Sequence, residues 1–499
     1  MAAIDASESE GVVPITLLTG FLGSGKTTTL QHLLENKEGL RIGVIVNDVA
    51  SVNIDSKLVK KSDSSDNGGD SITATTSLRD GVVELQNGCA CCSLADELLP
   101  TIENLLDTKK KKNSADEEEE GFDALVVELS GVGDPVAIRQ NWKMSRAQGK
   151  PVTKRADMKR VVTLVDASTF GTDFMTWETA GDREAWRSSA DGGAGSDCAA
   201  ARKVPELLAE QIEAADVLVL NKIDLAGPEQ LGVAAALARS INGKAVLEEV
   251  EFGKVAAPRQ ILRDVRTAEA AEKEKEEESC GCCGDDDRSN AASATDDDDD
   301  HGHSHSHDHA TAASHLGIVN FVYRADRPFH TKKLMRLLHT WPVPIKDDLG
   351  GMEHYAPESE PDDEEPAGRE SPFFGVLRSK GFCWLSPTDW DPSEGDQWRH
   401  DTAMYWSHAG KHFGITAAGK WWATLDRDAM KDYFRNDPAE YDRITTEDFV
   451  SEIWGDRRQE LVFIGANIDQ DRITKALDDC LLTEAAMEEY TYQLNSLLY

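Results

Sequence analysis

The stretch Gly20-Phe21-Leu22-Gly23-Ser24-Gly25-Lys26-Thr27 constrains this chain more than any other. Gly20 and Gly25 are separated by four residues and followed by Lys and Thr, the pattern of a phosphate-binding loop. A pattern this short needs its flanks. Before it, Val13-Pro14-Ile15-Thr16-Leu17-Leu18 is apolar and β-branched, as in a buried strand. After it, Thr28-Thr29-Leu30-Gln31-His32-Leu33-Leu34 spaces its apolar residues for a helix. In such a strand–loop–helix unit the glycines let backbone N–H groups close around phosphates, and the helix N-terminus adds its positive end. Gly20, Gly23, Ser24, Gly25 and Thr28 are then cradle positions. Lys26 is expected to reach the β/γ-phosphates, and the Thr27 hydroxyl to ligate Mg²⁺.

Later strands extend the same reading. Ile42-Gly43-Val44-Ile45-Val46 ends at Asn47-Asp48, and strand ends in sheets of this kind face the ligand, which makes Asp48 a candidate catalytic residue. Val49–Val59, with Asn53-Ile54-Asp55, has the place of a switch segment. Leu125-Val126-Val127-Glu128 is an apolar strand ending in a carboxylate, the second acidic element of nucleotide hydrolases. Glu128 is expected to hold Mg²⁺ through water or to orient the attacking water. Val161–Asp166 is a further buried strand, and Trp177–Arg202 reads as a variable excursion. Val217-Leu218-Val219-Leu220 then runs into Asn221-Lys222-Ile223-Asp224, a guanine-reading pattern. The Asp224 carboxylate accepts from the base N1–H and the exocyclic amine. Adenine has no N1–H, so a carboxylate left unpaired there penalises ATP. GTP is the nucleotide this pattern selects.

Metal chemistry enters through cysteine. Cys89-Ala90-Cys91-Cys92 places three thiols within four residues, after Val82-Val83-Glu84-Leu85-Gln86-Asn87-Gly88. A soft metal draws such thiolates together, and on extended backbone Cys89 and Cys91 point the same way. A fourth position is left for water, a carboxylate such as Glu84, or an imidazole, which suits exchange better than permanent storage. Zinc and cobalt both satisfy three thiolates, so this pattern alone does not choose between them. The tract 268–315 repeats the chemistry on a polar tether: Cys280-Gly281-Cys282-Cys283, then Asp296–Asp300, then His301, His303, His305, His307 and His309. Its composition reads as a disordered, metal-binding linker. Shared spacing of the two thiol groups points to a relay that passes zinc inward, or to a dispensable metal-binding tail.

Composition bounds the rest. The chain has 499 residues and a formal net charge of −38, which disfavours nucleic acid and anionic membrane as partners. No apolar run reaches the length of a transmembrane helix. The start, Met1-Ala2-Ala3-Ile4-Asp5, has no basic n-region or apolar core, so cytoplasmic residence is expected. Nine cysteines, clustered rather than spread, fit metal binding in a reducing compartment. Ordered sequence restarts at Ile318–Tyr323, and Pro328-Phe329-His330 leads into a helix at Thr331–His339. Gly375–Leu385 and Leu461–Gly465 read as strands, with Trp421 and Trp422 between them, and the last helix is expected to contain Cys480. His408 and His412 lie four apart and would bind metal only if helical; a surface placement is the plainer expectation. The resulting organisation is an N-terminal tail over 1–11, a phosphate-loop α/β domain with a doubly wound sheet over 12–265, the linker over 266–315, and a smaller α+β domain over 316–490 with an acidic insertion at 352–371.

Together these elements resemble the CobW-like GTPases, a family of phosphate-loop metallochaperones. Gly20–Thr27, Gly88-Cys89-Ala90-Cys91-Cys92, Glu128-Leu129-Ser130-Gly131 with Pro135, and Asn221–Asp224 carry the likeness. So do Arg378-Ser379-Lys380-Gly381 with Trp384, and Gly455-Asp456-Arg457-Arg458-Gln459-Glu460-Leu461. Val46-Asn47-Asp48 followed by Val52-Asn53-Ile54-Asp55, and the tail Leu461–Leu482, are similar to a branch linked to zinc starvation. The resemblance implies a GTP-hydrolysing zinc metallochaperone, with cobalt handling in cobalamin synthesis or a non-catalytic zinc buffer as alternatives. It implies a client metalloprotein, and a monomer or a nucleotide-dependent dimer. Residues 1–14 carry nothing that matches the short motif by which some relatives dock on methionine aminopeptidase, and Asn242-Gly243 stands where relatives often have Asn-Pro.

Overall fold

A computed structural model describes residues 12–35, 38–47, 82–85, 94–108, 121–184, 186, 197–255, 258–262, 317–341, 371–387, 401–435 and 437–498. Two sheets organise them. The first is built from β1 (Val13–Gly20), β2 (Ile42–Asn47), β3 (Val82–Leu85), β4 (Ala124–Glu128), β5 (Ala156–Asp166), β6 (Val217–Asn221) and β7 (Val246–Glu249). All neighbours are parallel and the order is β3-β2-β4-β1-β5-β6-β7. Parallel strands joined by crossover helices are covered on both faces, which is why β4 and β6 are apolar runs buried along their whole length. Helices Leu94–Thr108 and Pro135–Ala147 cover one face through Leu98, Ile102, Ile138 and Trp142. Helix Lys26–Leu34 buries Leu30 and Leu33 on the other, and helices Val204–Glu213 and Pro228–Ile241 pack around Leu218 and Leu220. The strand ends line up: Leu18 pairs with Glu128, Val46 pairs with both Glu128 and Glu84, and Asp166 pairs with Asn221. Glycine loop, carboxylate and Asn-Lys-x-Asp pattern therefore open on one edge of one sheet.

The second sheet is antiparallel. Its strands are β8 (Ile318–Ala325), β9 (Val376–Cys383), β10 (Thr402–Ala409), β11 (His412–Lys420) and β12 (Gln459–Ala466), in the order β11-β10-β9-β12-β8. Helices Thr331–His339 and Gln470–Asp478 cover one face, seating Leu334, Met335, Leu338, Ile473 and Leu477 against Trp406, Phe413 and Phe463. Fully buried aromatics of this kind carry a large share of a domain's stability, about 3–5 kcal/mol for a Phe truncated to Ala.

Three expectations change here. Cys480 lies in no helix: the backbone leaves Gln470–Asp478 because Cys480 O accepts from His330 N and Leu482 N donates to Pro328 O. The last helix is a separate one, Glu484–Leu498. His408 and His412 are neither helical nor on the surface. They flank the turn between β10 and β11, and both are buried.

That turn meets the first domain. Gly410 has φ +57, and a Cβ there would lie 1.9 Å from Phe174 O, so the hairpin presses directly on the α/β domain. His408 Nε2–H donates to Gly410 O at 3.0 Å. Burial, with the nearby Arg378 guanidinium and His412, drives His408 down from its ordinary 6.5 to about 3. The sign follows directly: between pH 6.5 and 3 the unfolded chain takes up a proton that the folded chain refuses, so stability falls as pH falls below 6.5. Between pH 6.5 and 5 this single group removes about 2 kcal/mol. Thermal unfolding of the parent and of His408→Phe at pH 7 and pH 5 checks this. The variant is expected to lose about 2 kcal/mol less on acidification, and equal losses would contradict it.

Candidate functional site

The glycine loop leaves β1 at Gly20 and re-enters regular structure at Lys26, the first residue of helix Lys26–Leu34. Gly20 (φ +143) passes so close to β5 that a Cβ would lie 2.4 Å from Leu164 O. Gly25 (φ +100) is the left-handed N-cap of the helix, where a Cβ would lie 2.3 Å from Asn221 Nδ2. Only glycine satisfies both the backbone angle and the space at these two positions. Lys26 Nζ donates to Gly20 O at 2.9 Å and to Phe21 O at 3.2 Å, so the ammonium lies folded over the loop. Ser24 is buried and Thr28 exposed.

One contact joins the loop to the second acidic element. Thr27 Oγ1 donates to Glu128 Oε1 at 3.1 Å. Glu128 ends β4, which is hydrogen-bonded to β1, and is only 3% exposed. A hydroxyl and a buried carboxylate brought together at a helix N-terminus are hard oxygen donors that fit Mg²⁺. The chain then turns through Ser130–Gly133, and Asp134 caps helix Pro135–Ala147 by accepting from Val136 N and Ala137 N. Gly131 sits against the glycine loop, where a Cβ would lie 2.7 Å from Leu22 N.

Asn221 ties in the guanine-reading pattern. Its Nδ2 donates to Ser24 O at 2.9 Å, and its Oδ1 accepts from Gly253 N at 2.9 Å. Lys222 takes a left-handed conformation (φ 62), and its ammonium donates to Asp166 Oδ2 at 2.7 Å. Asp224, two residues on, is exposed. Asp48, the thiols Cys89, Cys91, Cys92, Cys280, Cys282 and Cys283, and His301, His303, His305, His307 and His309 lie outside the described residues.

Two parts of the site carried no recognised sequence signal. Phe252-Gly253 forms a tight turn (φ 54 and 69) that Asn221 holds against Thr29, where a Cβ on Gly253 would lie 2.6 Å from the Thr29 hydroxyl. A Gly shortly after β7 was the available hint. Asp166 anchors Lys222, and its position at a strand end beside Asn221 was the clue.

Comparison with known proteins agrees with this layout. Residues 14–248 match the model of the CobW/HypB/UreG nucleotide-binding domain, and residues 318–481 match that of the cobalamin synthesis protein CobW C-terminal domain. A zinc-regulated GTPase metalloprotein activator of Dictyostelium discoideum is 28% identical over 503 residues, covering 95% of this chain and 81% of that protein. A zinc chaperone CobW from a Sinorhizobium species is 30% identical over 255 residues, 50% of this chain and 63% of the other. The zinc chaperone YjiA of Escherichia coli is 36% identical over 155 residues, 31% of this chain and 41% of its own length.

The two glycines give a graded expectation. Gly25→Ala must displace the Asn221 amide and should lower the affinity for a fluorescent GTP analogue by at least about 10-fold, roughly 1.4 kcal/mol. Gly23→Ala meets nothing within 4 Å and carries only the positive-φ strain that both positions share, so it should lower the affinity less. A binding titration in which Gly23→Ala is the more damaging change would contradict the role given to Asn221.

Proposed function

Because it carries both domains of the family in succession, the chain belongs to the CobW-like GTPases, and from that premise we propose that it is a GTP-hydrolysing metallochaperone that binds zinc and hands it to client metalloproteins. The observation that supports this most is the Thr27–Glu128 contact at 3.1 Å, with Asn221 bracing the same loop from the guanine-reading side. The relatives named as a zinc-regulated activator and zinc chaperones support the choice of zinc as cargo.

The chemistry follows from the residues. The Lys26 ammonium exchanges its two loop carbonyls for the β/γ-phosphate oxygens, where it offsets charge that builds on the bridging oxygen. Ordered backbone N–H groups from Gly23 to Thr28 hold the phosphates in place. Mg²⁺, held by Thr27 with Glu128 behind it, supplies further charge neutralisation when bound. Glu128, buried at a central strand end, orients water on the γ-phosphate side. Asp224 selects guanine, and Lys222, fixed by Asp166, sets the position of that carboxylate.

Zinc is bound by Cys89, Cys91 and Cys92. The strand ends that lead to the two functional segments are direct neighbours: Asn47, just before Asp48, pairs with Leu85, four residues before Cys89. Reordering of the Asp48–Asp55 segment by the γ-phosphate is proposed to act on the thiolates through these paired strands.

Turnover assays test the nucleotide half. Lys26→Ala is expected to abolish GTP hydrolysis, ATP is expected not to compete, and Asp224→Asn should weaken GTP by about 1–3 kcal/mol while admitting xanthosine nucleotides. Unchanged turnover in Lys26→Ala, or equal competition by ATP in the parent, would overturn the assignment.

A further inference from the structure

The two domains meet at several points, among them helix Pro228–Ile241 against β8 and Trp177 against His412, and one of the elements between them, helix Val204–Glu213, also holds the loop behind Glu128. On its α/β side, Gln211, 1% exposed, donates from Nε2 to Gly131 O at 3.0 Å. Arg202, just before the helix, donates from Nη1 to Val132 O at 3.1 Å and pairs with Glu210. These carbonyls belong to the turn that follows Glu128 and lies against Leu22 of the glycine loop. On its other side the helix is gripped at both ends by the second domain. Gly410 lies over its start, with Pro205 Cβ 3.3 Å from where a Cβ would stand. At its end, Glu213 Oε1 accepts from Arg378 Nε at 3.1 Å, and Glu213 Oε2 pairs with Lys380 Nζ at 2.8 Å. The Arg378 side chain is 3% exposed and also donates from Nη1 to His408 O at 2.8 Å.

We infer that Arg378 is a positioning residue for GTP hydrolysis: through Glu213 and the helix it sets the place of Gln211, and hence of the Ser130–Gly133 turn behind Glu128. The inference rests on the GTPase reading above. Its physical basis is that Arg378 Nε and Nη2 both reach Glu213 Oε1 at 3.1 Å while Nη1 is held by His408 O, so this largely buried guanidinium has one geometry, whereas an exposed pair tolerates many. A helix of ten residues fixed at both ends transmits that geometry as a rigid body to the carbonyls it holds. What the second domain contacts, a client or its zinc-loaded linker, then bears on hydrolysis through the same helix, and by reciprocity the nucleotide bears on those contacts.

The test compares Arg378→Met and Arg378→Lys in the full chain with the parent. Arg378→Met is expected to lower kcat for GTP about 10-fold while the Kd of a fluorescent GTP analogue stays within about twofold, because the phosphate cradle itself is untouched. Arg378→Lys, which keeps the charge but loses the planar fork and its bond to His408 O, should recover only part of kcat. A folded Arg378→Met with parental kcat overturns the inference, and so does a loss of affinity as large as the loss of kcat. If Arg378→Met does not fold, Lys380→Met, at the rim of the same pair, takes its place with an expected threefold fall in kcat, and an unchanged kcat counts against it. If the parent itself does not hydrolyse GTP, the GTPase reading fails separately. Hydrogen exchange at the Gly133 amide, which donates to Ser130 O, then still decides: faster exchange there alone supports the coupling, and parental protection overturns it.

Discussion

The contact between the Thr27 hydroxyl and the Glu128 carboxylate is the interaction on which the rest of this structure depends. A carboxylate taken out of water costs several kcal/mol unless donors or a cation meet it. Glu128 is nearly fully buried, so β1 and β4 must be adjacent and in register before that cost is offset. The all-parallel order of the sheet provides this, because each crossover returns the chain to the same edge and the strand ends collect there. The helix that begins at Lys26 has its N-terminal dipole aimed at that edge, which favours the negative charge of a carboxylate and of a triphosphate alike.

A second tie sets the shape of the loop itself. Asn221 commits both halves of its amide to backbone, one to Ser24 O and one to Gly253 N, so the glycine loop and the Asn-Lys-x-Asp segment share a brace. Buried amide hydrogen bonds of this kind are expensive to break because each lost partner leaves a desolvated group behind. The brace also explains why Gly25 must be glycine. Helix Val204–Glu213 adds a third tie, between the turn after Glu128 and the antiparallel domain. The glycine-loop edge is thus held by the sheet, by Asn221, and by a helix that the second domain also contacts.

The local parts of this site were legible in the sequence. Glycine loop, strand-end carboxylate and Asn-Lys-x-Asp are short patterns whose flanking strands are unbroken apolar runs, and helix Thr331–His339 was announced by Pro328 and its apolar spacing. Interactions that close over long separations were not. Asn221 was read as part of a base-recognition motif, while its bond to Ser24 spans nearly two hundred residues. Gln211 carries no local signal, and the motif Arg378-Ser379-Lys380-Gly381 marks a family likeness without showing that Arg378 reaches Glu213 of the other domain. His408 and His412 were expected at the surface because they flank Gly410, whereas the turn there is packed against the other domain. The alternation of buried Met404, Trp406 and His408 along β10 was the better guide, with Gly410 marking the turn. Cys480 was placed in a helix because tertiary bonds from His330 and to Pro328, not propensity, end that helix.

The central claim is that the nucleotide edge and the proposed zinc thiolates respond to each other. Zinc titration of a chain whose Cys280, Cys282 and Cys283 are replaced by Ser and whose residues 301–309 are deleted, with and without a non-hydrolysable GTP analogue, tests it most directly. The account predicts a single site, lost in Cys89→Ser, that binds zinc about 5-fold to 150-fold more tightly in the presence of the analogue, the range of ordinary allosteric coupling. Equal zinc affinity with and without the analogue would contradict it.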